Sequence, residues 1–379
     1  MSGSTDSVIA EADVAIVGAG IVGLAHAYEA RRRGLDVVVV DRDERAVGAS
    51  VRNFGHCFVS GSAAGDPLEV ALEARERWRV LGRRAGFGVI EAGTLVVARE
   101  ADELAVLEAA AAEPARAAAL VTAREATELA PIPGDGIIGG LHARLDLRVD
   151  PREAVDALAG YLERELGVRF VRGAAVRGVA LPAIETSKGR LRAERCVVCP
   201  GPDVQTLYAG AFAARAGLTR VKLQMLRVAA PDSSRYGPAL LTGLSLLRYP
   251  GFSVQAGAAA VRERLRRDAP ELVRHGIHLI VTQRPGGDLI VGDTHEYAMT
   301  VSPFGDESLD ELVVAEARRL LGVRRLRVLE RWHGVYPTAP GDPFFVDEPE
   351  PGVLLVAIVS GVGMTTALGL APRVLDRWG

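Results

Sequence analysis

One run near the N-terminus limits what this chain can fold into more than any other. Asp13 to Val17 (DVAIV) is a short apolar stretch, Gly18-Ala19-Gly20-Ile21-Val22-Gly23 follows, and Leu24 to Arg33 has helical character. After Gly34, DVVVVD reads as a second buried strand ending at Asp41. A bare GxGxxG says little, but strand, glycine turn, helix and strand ending in an acid together specify a dinucleotide site. Gly18 permits the tight turn, Gly20 lets a pyrophosphate reach the backbone, and Gly23 allows close helix–strand packing. The amides of Ile21 and Val22 open the helix toward the phosphates. Asp41 can accept hydrogen bonds from a ribose diol, and its charge disfavours a 2′-phosphorylated nucleotide.

The chain has 379 residues, 49% of them hydrophobic and 25% charged, with a net charge of −3. That length exceeds one ordinary core, and the charge balance argues against nucleic-acid binding. Only two of the 45 basic residues, Lys188 and Lys222, are lysines, and Asn53 is the one asparagine. Such a bias makes these exceptions informative.

Three cysteines, Cys57, Cys196 and Cys199, form no disulfide framework and suit a reducing, cytoplasmic compartment. Cys196 and Cys199 spell CxxC, but they lie in an apolar strand-like run without a second pair, so a buried structural role is expected and no metal. The first residues lack the basic and apolar parts of a signal peptide. From Gly352 to Ala371 there are 20 residues without a charge, enough to span a membrane. Glycines interrupt them, however, and buried strand, glycine turn and helix is the better reading.

Further along, Asp150-Pro151-Arg152-Glu153 opens a helix running to about Leu166. GVRFVRGAAVRGVAL reads as strand–turn–strand, and CVVCPGPDVQTL as a buried strand and a turn into a helix. Long strands begin at residue 221, HLIVTQRP and DLIVGDTHEY form an antiparallel pair, and a helix starts at Ser308. Nucleotide-type segments therefore recur at the start, middle and end. The expected class is α/β (α+β overall): a Rossmann-type domain over 8–50, 145–215 and 328–379, interleaved with a mixed, largely antiparallel substrate domain over 51–144 and 216–327.

At this point the sequence resembles the FAD-dependent amine oxidase family that includes D-amino-acid oxidase, glycine oxidase and monomeric sarcosine oxidase. The resemblance rests on GAGIVG with Asp41, GAS at 48–50, RVDPREAVDAL, CVVCPGPDVQTL, RWHGVYPTAPGDPFF and SGVGMTTALGLA, in that order. It implies non-covalent FAD held by Gly18, Gly20, Ile21, Val22, Gly23, Asp41, Arg42, Ala49, Ser50, Arg52, Asn53, Gly55, His56, Val176, Gly201, Ser360, Gly361, Gly363, Met364 and Thr365. In the loop GASVRNFGHCF, Asn53 tolerates left-handed backbone and its amide can pair with the flavin edge. Arg52 could meet either flavin or substrate.

The implied chemistry is oxidation of a small primary or N-methylated amine. Hydride passes to flavin N5, the imine hydrolyses to an aldehyde or oxo acid, and dioxygen or another acceptor takes the electrons. Three functional readings stay open: an oxidase, a dehydrogenase passing electrons to a carrier, and a flavoprotein subunit of an electron-transfer complex. The oligomeric state is open too.

Amino-acid-oxidising relatives carry a carboxylate-clamping Arg just before the Pro of RP-x-T. Here GVYPTAP puts Tyr336 in its place, which argues against glycine or a D-amino acid held in the usual way. WHGVYP, LQMLR and GDTHEY are similar to a phosphonate-degrading subgroup, whose substrates would be 2-aminoethylphosphonate or its N-methyl derivative. The substrate-site candidates are His56, Tyr249, His333 and Tyr336, with His278, His295 and Tyr297 behind them. Lys222 starts the strand expected to roof the flavin and is read as a solvated strand end.

Overall fold

The computed structural model describes residues 7–231 and 234–379. Its strands form three sheets. The first holds β1 (Val8–Val17), β2 (Val37–Val40), β9 (Arg169–Val171), β10 (Val176–Ala180), β11 (Ala183–Thr186), β12 (Gly189–Val198), β19 (Phe344–Glu350) and β20 (Val353–Ile358). Its order is β10-β11-β12-β1-β2-β9, with β20 joining β12 and β19. β1 runs parallel to both β2 and β12, and β20 parallel to β12. The 9-stranded second sheet contains β5 (Thr94–Ala98), β6 (Ala118–Val121), β7 (Gly139–Ala143), β13 (Thr219–Val228), β14 (Ala239–Leu241), β15 (Ile280–Gln283), β16 (Leu289–Gly292), β17 (Glu296–Tyr297) and β18 (Val328–Thr338). A small third sheet, β3 (His56–Cys57), β8 (Leu147–Val149) and β4 (Val89–Ile90), lies beside them.

The central strands of the first sheet are buried on both faces, which is why VVVV carries no polar alternation. Val37 and Val39 face one core, Val38 and Val40 the other. On the first face pack α1 (Ile21–Arg32), α2 (Asp66–Ala85), α5 (Pro151–Arg164) and α11 (Gly363–Leu375). The second sheet is covered by α3 (Ala101–Ala111), α4 (Ala123–Leu129), α8 (Ala258–Asp268) and α10 (Glu307–Leu321). Short turns α6 (Ala209–Ala213), α7 (Pro250–Ser253) and α9 (Pro270–Arg274) complete the helices of the described residues.

Several expected boundaries move. β18 pairs with β13 from Thr219↔Thr338 to Val228↔Val328, so residues 328–338 belong to the second sheet. α2, expected with the substrate part, instead buries Val70, Ala74, Trp78 and Leu81 against the first sheet's helices. The helix expected at Ser308 starts at Glu307, because Asp306 is its cap and accepts from the Ser308 amide at 2.9 Å. The strand–turn–strand expected over 169–180 is present, with β9 joining β2 and β10 joining β11.

The uncharged segment 352–371 is β20, a glycine turn and α11, and no helix among the described residues is long and apolar enough to cross a membrane. Cys196 and Cys199 point to opposite layers, since an odd spacing along a strand changes face. All three cysteines are free and buried. Burial pushes the Cys196 thiol up to about 12, so the pair is inert packing.

Candidate active site

The dinucleotide fingerprint closes as its sequence implies. Gly23 is the point of closest approach, because a Cβ there would lie 1.8 Å from the Gly18 carbonyl oxygen. Asp41 sits at the end of β2, where its carboxylate accepts from the amides of Ala19 (2.6 Å) and Asp43 (2.8 Å). A groove runs here, lined by Gly18, Asp41, Arg42, Val176 and Gly201. The Arg42 guanidinium reaches Asp203 at 3.1 Å across it. Gly20, Ala49, Ser50, Cys199 and Gly201 also border a second cavity, so groove and cavity are continuous.

Two helices open onto this second cavity. Ile21, Val22 and Gly23 begin α1, and Gly363, Met364 and Thr365 begin α11, all lining the wall. Neither helix has a side-chain cap or an acidic residue in its first turn, so positive potential faces the cavity at both places. Ser50 accepts from the Ile21 amide at 2.9 Å, and the buried Ser360 hydroxyl has no partner. An acid at the ribose end, amides at the pyrophosphate and a second amide-bearing helix beside an apolar slot suit FAD. The residues present fit that cofactor.

The start of α11 is tied down from the other half of the chain. Trp78 donates to the Met364 carbonyl at 2.7 Å, Cys57 Sγ lies 3.4 Å from the same oxygen, and the Phe58 amide donates to Thr365 Oγ1 at 3.0 Å. Asn53 lines the cavity, but its amide is engaged within its own loop. Nδ2 donates to the carbonyls of Ala49 (2.8 Å) and Ser50 (3.0 Å), and Oδ1 accepts from the Gly55 amide at 2.7 Å. Asn53 therefore shapes the loop, with its Nδ2 hydrogens used there. The left-handed backbone falls to Gly55, at φ +66, where a Cβ would meet the Val149 carbonyl at 1.8 Å. Gly55 holds the loop against β8 and lines neither cavity nor groove.

At the far end of the cavity, the structure brings together His56, Tyr249 and Tyr336. Arg248, Asp293 and His295 stand with them. Arg248 is the finding the sequence did not announce. Its Nη2 donates to Tyr336 Oη and to the Ser360 carbonyl, both at 3.2 Å, and its Nε faces His295 Nε2 at 3.4 Å. His295 Nδ1 lies 2.8 Å from the Gly276 carbonyl, an oxygen that can only accept. The ring therefore carries its hydrogen on Nδ1 and offers a bare Nε2 to Arg248. Burial, then His278 and Arg248, hold His295 well below the usual histidine range, so it remains neutral. A guanidinium does stand beside Tyr336, where the resemblance implied an arginine, but it comes from another element.

His56 is buried too. Its Nε2 sits 2.7 Å from Thr94 Oγ1, its ring stacks on Phe58 at 4.6 Å, and burial pulls its pKa down to about 3. Tyr249 packs edge-on against Phe58 at 4.7 Å, and burial raises its phenol. Asp293 is 5% exposed, with Oδ1 lacking any hydrogen bond, and burial pushes its pKa up to about 7 against the pull of Arg248. Arg52, also on the wall, donates to the His333 carbonyl at 3.1 Å.

Two expectations fail on strand parity. On β18, Gly334 and Tyr336 face the cavity, so His333 faces away, with Nε2 turned toward Gly305. His333 is not a substrate residue. On β13, Leu223 and Met225 line the cavity, so Lys222 lies on the opposite face. It is not a solvated strand end either: only 4% exposed, its Nζ meets Glu296 at 2.6 Å and the carbonyls of Ser302 (3.1 Å) and Phe304 (2.9 Å).

A sheet with a parallel centre and an acid-ended fingerprint, beside a second sheet with a cavity between them, fits a flavin-dependent oxidoreductase. The chain belongs to the FAD dependent oxidoreductase family (DAO), which it matches over residues 13–377. Among solved structures it is similar to L-proline dehydrogenase from P. horikoshii, at 18% identity and a TM-score of 0.80 over 97% of this chain and 93% of that one. Glycine oxidase from Bacillus cereus gives 19% identity and a TM-score of 0.77 over 97% and 94%. L-alpha-glycerophosphate oxidase from Mycoplasma pneumoniae, solved with FAD bound, gives 17% and 0.75 over 97% and 94%. A search of curated protein sequences found no match.

Proposed function

We propose that this FAD-dependent enzyme oxidises the C–N bond of a small primary or N-methylated amine that also carries an acid group. Arg248 is the observation that carries this reading. A half-buried guanidinium on the cavity wall, with Nη2 and Nε held by Tyr336, Ser360 and His295, is a positioned partner for an anion. Bound FAD supplies the two-electron acceptor. The chain's own residues do the rest: Arg248 and Tyr336 hold the acid group, and Phe58, Leu223 and Met225 give apolar walls that exclude water. Asp293 stands for the amine end.

The particular substrates proposed are 2-aminoethylphosphonate and its N-methyl derivative. The resemblance to phosphonate-degrading relatives supports them, as do the several dispersed donors, among them Arg248 and the hydroxyls of Tyr249 and Tyr336, which suit a phosphonate's three oxygens. A second reading, glycine or a D-amino acid, is favoured by Arg248 itself, since it restores the guanidinium that GVYPTAP lacks. The reaction is placed in the cytoplasm, in keeping with three unpaired cysteines. The deciding experiment measures turnover on a panel of aminophosphonates, amino acids and hydroxy acids, following peroxide with and without an artificial acceptor. Turnover of hydroxy acids alone would sink the C–N reading. Peroxide without the added acceptor identifies an oxidase, and turnover only with it a dehydrogenase.

A further inference from the structure

We propose that Asp293 takes the ammonium proton of the substrate, and thereby makes this cavity select amines over alcohols. This rests on the C–N reading above. Asp293 lies in the segment joining β16 to β17, lines the cavity, and is buried with Oδ1 unpartnered. His295 Nδ1, 4.0 Å from Oδ1, already gives its hydrogen to Gly276. No hydrogen bond or ion pair joins Asp293 to Arg248 among the described residues. A buried carboxylate oxygen without a donor is costly, and a ligand N–H relieves it.

The step is a proton transfer. One N–H bond of R–CH2–NH3⁺ breaks and one O–H bond forms on Asp293, giving R–CH2–NH2 and a neutral carboxylic acid, with no change in total charge or oxidation state. Around a carboxylate as buried as Asp293 the neutral pair is favoured, because desolvation penalises both charges of the ion pair. The lone pair so released is what formation of a C=N bond requires. An alcohol brings neither the positive charge nor a proton acidic enough to give up.

The groups around Asp293 leave it as the titrating member near neutrality. Arg248 stays charged. Burial raises the Tyr249 and Tyr336 phenols and lowers His278 to about 4 and His295 further. Capture of the ammonium form needs the carboxylate, so it strengthens as pH rises through about 7.

The test uses the FAD-loaded enzyme. Asp293→Asn should lower kcat/KM for the best amine on the order of 100-fold at pH 7. The variant should then recover roughly tenfold per pH unit toward the amine's own pKa, while the wild type levels off above neutrality. Binding provides a readout free of turnover. 2-Aminoisobutyrate, which has no α-hydrogen, should bind the wild type at least tenfold more tightly than isobutyrate above neutrality. That preference should fade toward pH 5 and be absent in Asp293→Asn. Amine turnover with an unchanged pH profile in Asp293→Asn, or equal binding of the two probes by the wild type, overturns the assignment and leaves the C–N reading intact. A wild type that turns over only hydroxy acids, yet shows the Asp293-dependent preference, refutes the C–N reading and retains Asp293 as the amine-selecting group.

Discussion

Replacing Arg248 with methionine is the sharpest probe of the site. The side chain keeps its apolar stem but loses the charge and the hydrogen bonds to Tyr336, Ser360 and His295. Truncating one partner of a buried charge pair costs about 2–5 kcal/mol. A mid-range loss of about 3.5 kcal/mol corresponds to roughly 400-fold in kcat/KM, at 1.36 kcal/mol per decade. The loss should be confined to acid-bearing amines. The matching methyl ester, which offers no charge to the guanidinium, should lose less than about tenfold. Arg248→Lys should recover little, since an ammonium cannot reproduce the planar fork. Arg248 also holds down the pKa of Asp293, so its removal should move the acidic limb of the rate profile to higher pH. The assay is steady-state kinetics on acid and ester across pH 5 to 10. Equal losses on the two would refute the placement of the acid group at Arg248.

Three further outcomes are expected. Asp293 has a folded-state pKa raised from 3.8 to about 7. Its unfavourable contribution is therefore absent below pH 4, grows as the unfolded chain ionises first, and is complete above about 7; Asp293→Asn should raise Tm at pH 8, by at most about 4 kcal/mol in stability, and leave it unchanged at pH 4. Equal melting at pH 8 would contradict the buried carboxylate. Asn53→Ala removes three hydrogen bonds within the loop and should cost about 2 kcal/mol with faster FAD release, measured by urea unfolding and dilution; unaltered release would mean that the loop keeps its shape without them. Lys222→Met should destabilise the fold while leaving the rate of flavin reoxidation within about twofold, because Lys222 faces away from the cavity. A much larger drop in stopped-flow reoxidation would contradict that placement.

The nucleotide end was legible because each requirement there is local: a turn, a close approach and an acid at a strand end all lie within residues 13–41. The substrate end was less so. Arg248 is one of many arginines in a chain that almost excludes lysine, and nothing in LLRYPGF says that it will line the cavity. Asp293 reads as an ordinary acid after a strand, and only the packing of the second sheet takes it out of water. Parity, by contrast, was available and unused. His333 and Tyr336 are three apart on one strand, so they cannot share a cavity. The same period places Lys222 opposite Leu223. Asn53 stands out by rarity, but its hydrogen bonds turn inward to its own loop.

The ties between Trp78, Cys57, Phe58 and the first turn of α11 join stretches up to 307 residues apart. A ribosome completes the fingerprint at Gly18–Gly23 long before Met364 and Thr365 emerge. Loop closure over such a separation slows assembly, so the cofactor pocket is among the last parts to become whole. Free FAD can then act as a late staple during biogenesis, drawing the two ends of the polypeptide together by mass action. Yield of soluble protein should accordingly follow the flavin supply of the cell that makes it.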